Sequence, residues 1–287
     1  MNKLILILTA SIVMLTGSFH VRAADSLRIR VGIFQMDVAD GDVTENMHRA
    51  EKGIRAAAKK GADLVCLPEA VDFGWLYQQA RRDAFPIPGR YTDFLSALAK
   101  RLDIWISAGC LEKDGDKTYN SAVIIDRTGE IVLRHRKIIT LPNLTRHLYD
   151  SGYAEDIKTV DTELGRIGLT ICADNFNIEN PKRVAALGAW LLITPHGYAA
   201  ADADLPDNAV RYMNHIRNIA RQTGMWVIGP NTCRSIIGGG EWKGRQHSGC
   251  STIAAPTGKA MIFGKYNQTD MIIYDIVRDG KNGTTDN

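Results

Sequence analysis

Three side chains able to do covalent chemistry stand at the ends of apolar runs: Glu69 after Leu64 to Pro68, Lys137 after Ile131 to Arg136, and Cys172 after Ile167 to Ile171. Strand ends are where sheets assemble active sites. A carboxylate beside a thiol can act as general base, and a lysine can stabilise the oxyanion formed when sulfur attacks a carbonyl or nitrile carbon. Around Cys172 the chain reads GRIGLTICADNFNIE, a short buried strand, a lone cysteine, then a helix-like segment. That spacing puts the thiol at a strand-to-helix turn, beside backbone N–H groups that can lower its pKa and donate to an oxyanion. Taken singly, Cys172 reads as a core cysteine, Glu69 as a loop carboxylate and Lys137 as one solvated cation of Arg-His-Arg-Lys. Only the three together point to a reaction.

The elements that would position them follow from periodicity. Leu27 to Met36 reads as a strand, and a helix capped by Asp42 or Thr44 runs to Lys60, where Gly61 stops it. Ala62 to Leu67 is a second strand, ended by Pro68-Glu69. A helix over Tyr91 to Arg101 leads to a third strand, Ile104 to Ala108. This strand, helix, strand order favours parallel pairing with helices laid on the sheet. Two hairpins share one design: Ala122 to Leu133 turns at Asp126-Arg127-Thr128-Gly129, and Ser251 to Phe263 at Ala255-Pro256-Thr257-Gly258. Between them come the Cys172 strand, a helix over Pro181 to Gly188, a strand over Trp190 to Thr194, a helix over Asp207 to Thr223 and a strand over Met225 to Pro230. Gly238-Gly239-Gly240 is a loop, since no Lys-Ser/Thr and helix follow it.

The 287 residues, 45% hydrophobic and 23% charged, suit one globular domain, and a net charge of +3 without a basic aromatic cluster gives no support for nucleic-acid binding. Residues 1–24 fit a secretory signal peptide: Lys3, an apolar run from Leu4 to Leu15, and a small-residue site at Val21-Arg22-Ala23. The expectation is an exported protein, periplasmic or secreted, without a stable membrane anchor. Its folded domain would cover 25–278, with a frayed polar tail at 279–287. Five cysteines leave at least one thiol unpaired, and Cys66, Cys110, Cys233 and Cys250 cannot be assigned to disulfides from sequence. No Cys/His spacing suggests a metal ligand set. A papain-like Cys/His pair would draw on His135, His147, His196, His215 or His247, none of which stands in a recognisable motif. His196, just past the strand ending at Thr194 and close to Tyr198, is a candidate pocket residue. Trp75, Tyr77, Asn175 and Phe176 also lie near proposed strand ends and are candidates to shape a substrate site.

The combination of Glu69, Lys137 and Cys172 resembles the nitrilase superfamily of carbon–nitrogen hydrolases, which carries a Glu, Lys, Cys triad in this chain order. The matching contexts are Gly61-Ala62-Asp63-Leu64 leading to Pro68-Glu69, Tyr119-Asn120-Ser121-Ala122 with Gly129-Glu130 before Arg136-Lys137, and Gly165 to Asp174. The likeness continues through Leu187-Gly188-Ala189, Arg217 to Asn231 and Ser248 to Gly258. It implies an αββα sandwich of two mixed sheets with outer helices, forming a homo-oligomer, dimer or larger, through its outer faces. It implies cofactor-free hydrolysis of a non-peptide carbon–nitrogen bond, in a small amide or nitrile, through a cysteine-linked acyl intermediate. Glu69 would be the base, Lys137 and the Ala173 N–H the oxyanion donors, and Cys172 the nucleophile. The chain departs from the pattern at Ala173, where an aromatic residue is common, and at Thr145, where a second glutamate usually precedes Arg146, Tyr149 and Gly152. A late glutamate is likewise replaced near Ala220. A threonine brings no charge, so hydrolysis of the acyl-thiol is the step it would slow. The competing reading is an exported ligand-binding protein of the same fold with weakened or lost catalysis.

Overall fold

The computed structural model describes residues 26–278, so the expected signal segment and the polar tail both lie outside the described residues. The first half of the chain supplies strands β1 (Leu27–Gln35), β2 (Leu64–Cys66), β3 (Trp105–Asp114), β4 (Lys117–Ile125) and β5 (Ile131–Arg136). Between them lie helices α1 (Val43–Lys59), α2 (Ala80–Asp83) and α3 (Arg90–Leu102), and after them the single turn α4 (Pro142–Thr145). The second half supplies β6 (Thr159–Thr162), β7 (Gly165–Leu169), α5 (Glu179–Ala186), β8 (Leu191–Ile193), β9 (Ala199–Ala200), α6 (Leu205–Thr223) and β10 (Trp226–Gly229). The chain closes with β11 (Cys233–Ile236), β12 (Gln246–Ser248), β13 (Thr252–Ala254), β14 (Ala260–Phe263) and β15 (Asp270–Arg278).

Two six-stranded mixed sheets result, in the orders β15-β1-β2-β3-β4-β5 and β14-β13-β10-β8-β7-β6, with β11-β12-β9 as a small third sheet. In the first, β1, β2 and β3 run parallel, flanked by antiparallel β15 on one side and the β4, β5 meander on the other. The second repeats the plan: β7, β8 and β10 run parallel, flanked by antiparallel β6 and by the β13, β14 meander.

Strand alternation makes the layers. Ile29, Val31, Ile33, Leu64 and Cys66 face inward and pack with Ile167, Leu169, Leu191, Ile193 and Ile228 of the other sheet. Their neighbours Val65, Leu67 and Ile106 face outward and pack under α1 and α3 with Ile54, Ala57, Leu95 and Leu98. Helix α1 buries Asn46, Ala50, Gly53, Ile54 and Ala57, one stripe at helical spacing, and Asp42 caps it by accepting from the Glu45 N–H at 3.0 Å. On the far side α5 and α6 cover the second sheet through Val184, Ala209, Tyr212, Ile216 and Ile219. The architecture is the αββα sandwich expected. Strand β15 is an addition to the elements read from the sequence: its DMIIYDIVR mixes charge with apolar residues because it is an edge strand, half-buried along most of its length.

Candidate active site

Glu69, Lys137 and Cys172 converge at the ends of strands from both sheets. Glu69 leaves β2 on Pro68 and is held against β3, where a Cβ on Gly109 would stand 2.6 Å from the Glu69 Cα and 2.7 Å from the Pro68 carbonyl oxygen. Only glycine permits that approach. The Glu69 side chain is fully buried: Oε1 accepts from Lys137 Nζ at 2.5 Å and from Asn120 Nδ2 at 2.8 Å, and Oε2 accepts from the Gly197 N–H at 2.7 Å. Lys137 is 1% exposed, with its ammonium 5.4 Å from the centre of the Trp75 ring. Burial is the largest single influence and lowers its pKa, but the charges of Glu69, Cys172 and Asp174 and the hydrogen bond to Glu69 together hold it raised.

Each member of Arg134-His135-Arg136-Lys137 has a carboxylate partner, so the run is not a solvated basic patch. Arg134 and Arg136 both bond Glu112, itself 1% exposed, and His135 Nε2 meets Asp174 at 2.8 Å. Asp174 also accepts from the N–H groups of Ile138, Ile139 and Ile171, tying the segment after Lys137 to the turn that carries Cys172. Gly152 closes the same corner: its N–H donates to the Lys137 carbonyl at 2.8 Å, and a Cβ there would lie 2.5 Å from the Arg136 carbonyl oxygen.

Cys172 opens a single 3₁₀ turn, Cys172–Phe176, with a left-handed φ of 44°. A non-glycine residue held in that region is strained and persists only where its surroundings fix it. Here the Cys172 N–H donates to the Pro195 carbonyl at 3.0 Å, and Asn175 Nδ2 donates to the Cys172 carbonyl at 3.1 Å and to Thr194 Oγ1 at 2.7 Å. The Ala173 N–H is in the first turn, where such groups have no intrahelical acceptor. The turn does not lower the thiol pKa as its position in the sequence suggests. Burial, and after it the charge of Glu69, push the thiol up against the opposing pull of Lys137. The lysine is already neutralised by Glu69, so it cannot act as the free cation that a lowered thiol needs.

A cavity of about 150 Å³ opens onto Cys172 and Lys137, walled by Trp75, Leu141, Phe176, Tyr198 and Trp242, with Asn208 as a further polar group. Trp75, Phe176 and Tyr198 therefore face it, whereas five other candidates do not. Thr145 is fully buried, and its hydroxyl donates to the Thr140 carbonyl at 2.6 Å, turned back onto its own segment rather than toward Glu69 or Lys137. Arg146 is exposed beside Pro142, Asn143 and His147 on the outside of that turn. His196 is fully buried behind the wall, its Nδ1 paired with the Thr194 carbonyl at 2.6 Å and its ring packed on Tyr212 and His215. Asn175 braces the cysteine turn instead of lining the cavity. Tyr77 stacks on Phe73 and donates to Asp83. Among the described residues all five cysteines are free and buried.

Asn120, Gly197, Asp174, Asn208 and Trp242 are the site groups that sequence reasoning missed. Asn120 and Asp174 had a signal, in the Tyr119 to Ala122 and Gly165 to Asp174 contexts. The others reach the site from separate loops and α6, which no local pattern reveals.

A model of the carbon–nitrogen hydrolase family matches residues 30–281. A nitrilase of Pyrococcus abyssi is 33% identical over 172 residues, 58% of this chain and 64% of that one. The chloroplastic omega-amidase of Arabidopsis thaliana is 33% identical over 188 residues, 60% of this chain and 49% of that one. The chain thus spans between about half and two thirds of the length of these relatives. In fold it is similar to the crystal structure of a carbon–nitrogen hydrolase from Helicobacter pylori G27, with a TM-score of 0.77 at 21% identity over 88% of this chain and 90% of that one.

Proposed function

The chain belongs to the carbon–nitrogen hydrolase family, and we propose on that premise that it hydrolyses a small non-peptide amide, or a nitrile, through an acyl group carried on Cys172. The observation that supports this reading is the buried convergence of Glu69, Lys137 and Cys172 beside a cavity. Glu69 takes the thiol proton as the sulfur attacks the amide carbon. Lys137 and the Ala173 N–H hold the negative oxygen that develops. Collapse of the tetrahedral species breaks the C–N bond, the proton held by Glu69 passes to the departing amine, and a thioester remains. Glu69, again ionised, takes a proton from water as that water attacks the thioester, and returns it to the sulfur as the acid leaves. Thr145 has no part in this sequence, because its hydroxyl is committed to its own turn.

The test is intact-mass analysis of protein mixed with a reactive amide. An increment equal to the acyl group, localised to Cys172 and appearing with stoichiometric ammonia, is expected; turnover in iodoacetamide-capped protein at the unmodified rate would sink the reading.

We also propose that the protein works outside the cytoplasm as a dimer or larger homo-oligomer. The composition of residues 1–24 supports the export. Material recovered from the exported fraction should begin near Ala24 or Asp25 by N-terminal sequencing, and an intact Met1 there would count against it.

A further inference from the structure

Two of the aromatic walls of the cavity beside Cys172 are fastened to the body of the protein. Tyr198 donates its N–H to Asn231 at 2.8 Å and accepts from the Ser248 N–H at 3.2 Å, and the Tyr149 hydroxyl holds the Trp75 carbonyl. Trp242 is held differently. It stands on the loop between β11 and β12, which contains Gly238-Gly239-Gly240 and turns through left-handed backbone at Gly240 and Gly244. Among the described residues, 238–244 hydrogen-bond only within the loop and to its base at Ile237 and Arg245. Side-chain contact seats the loop. The Trp242 ring meets Trp75 edge to face with 5.6 Å between centroids, the Arg245 guanidinium lies 4.2 Å from the ring centre, and Gly239 rests on Gln78, where a Cβ would stand 2.5 Å from Cγ.

The loop is otherwise polar or glycine. Glu241 and Lys243, on either side of Trp242, are exposed, while the indole between them turns inward to the cavity. A short exposed turn has no need of a tryptophan, so the ring is explained by the wall it completes. A cavity of about 150 Å³ takes on the order of one six-carbon ring, and a longer acyl group meets that wall. Crowding a packed wall with extra carbons is strongly disfavoured. Because no hydrogen bond ties the indole to the strands behind it, the ring can be shortened without disturbing them.

We propose that Trp242 sets the upper size of the acyl group: seated on Trp75, it confines the site to amides of short aliphatic or single-ring acids. The proposal rests on the hydrolase reading above for its reaction, but access to the Cys172 sulfur past the indole is separable from that reaction.

Two readouts test it. Ammonia release gives kcat/KM for benzamide and for the longer 4-phenylbutyramide. Methyl and 3-phenylpropyl methanethiosulfonate report access without hydrolysis: the Cys172 sulfur displaces methanesulfinate, its proton goes to solvent, and peptide mass analysis places the mixed disulfide on Cys172. All four probes are uncharged, so the positive field that Arg211 exerts at Tyr198 does not sort them. In the wild type 4-phenylbutyramide should be the poorer amide by about ten-fold or more. In Trp242→Ala the ratio of long to short probe should rise by about ten-fold, in kcat/KM and in labelling rate alike, with Trp242→Phe between the two proteins. Lys243→Ala, which alters an exposed side chain of the same loop, should keep both wild-type ratios. Ratios equal in the wild type and Trp242→Ala, or moved as far by Lys243→Ala, would overturn the proposal. A labelling ratio that rises in Trp242→Ala while neither protein releases ammonia would leave the size limit standing and refute the hydrolase reading. Ammonia release with both ratios indifferent to residue 242 would do the reverse.

Discussion

Cys172→Ala should give a protein that melts close to the wild type and releases no ammonia from any amide. The thiol is 7% exposed and belongs to the core cluster between the sheets, so deleting one sulfur leaves only a small gap, worth about 1 kcal/mol. The rate is a different matter: loss of a nucleophile typically costs on the order of 10⁴ or more, because the remaining groups act only in concert with it. The raised thiol makes the point sharper. Sulfur rests protonated here, since burial and the Glu69 carboxylate disfavour the thiolate, and nucleophilicity has to be generated as the proton leaves. Glu69→Gln should therefore fail at the same step while retaining the cysteine. Ammonia assays with a parallel thermal melt check both, and turnover in Cys172→Ala at the wild-type rate would take the cysteine out of the mechanism.

Lys137→Met should lose both activity and stability. Lys137 and Glu69 form an ion pair whose side chains are 1% and 0% exposed, and removing one partner strands the other charge in the interior. Such breakage costs about 3–5 kcal/mol, and loss of an oxyanion donor takes a further 10²–10³, roughly, from the rate. The two losses separate in the double variant Glu69→Gln/Lys137→Met. It carries no buried charge at this point, so urea denaturation should show most of the stability restored while ammonia release stays absent. If Lys137→Met unfolded at the same urea concentration as the wild type, the pair would not be what holds the two strand ends together.

The three side chains proposed to react were legible because each ends an apolar run, and runs and their ends are what a sequence displays. The layer architecture was legible for the same reason, with helices at their expected places and a boundary error of one or two residues, as at Arg90–Leu102 and Glu179–Ala186. What was lost was orientation. Thr145 sits near the right station, but one turn of helix points its hydroxyl back at Thr140. His196 follows a strand end as Glu69 does, yet its side chain packs on Tyr212, and it is the next peptide, the Gly197 N–H, that reaches the carboxylate. The basic run Arg134 to Lys137 looked solvated because its partners Glu112, Asp174 and Glu69 come from three distant places. Contacts of that kind are set by tertiary packing and leave no local trace.

The repeated strand plan of the two sheets has a consequence for where chemistry can occur. Cys66 pairs with Ser107 and Ser107 with Ile124, while Ile193 pairs with Ile228 and Ile228 with Ile253, so the two registers can be laid over one another residue for residue. Carried three residues on, Leu67-Pro68-Glu69 falls on Thr194-Pro195-His196. The molecule has an approximate dyad, and Glu69 and His196 are mates across it, close enough that the Glu69 N–H donates to the His196 carbonyl at 3.4 Å. A perfect dyad would put the same side chain on both sides and produce two like charges facing each other. Sequence breaks the symmetry at that spot: one mate is an acid held against Lys137, the other a neutral wedge whose pKa burial drives well down. The proposed base and nucleophile thus meet at the seam, where two halves built on one strand plan carry different side chains.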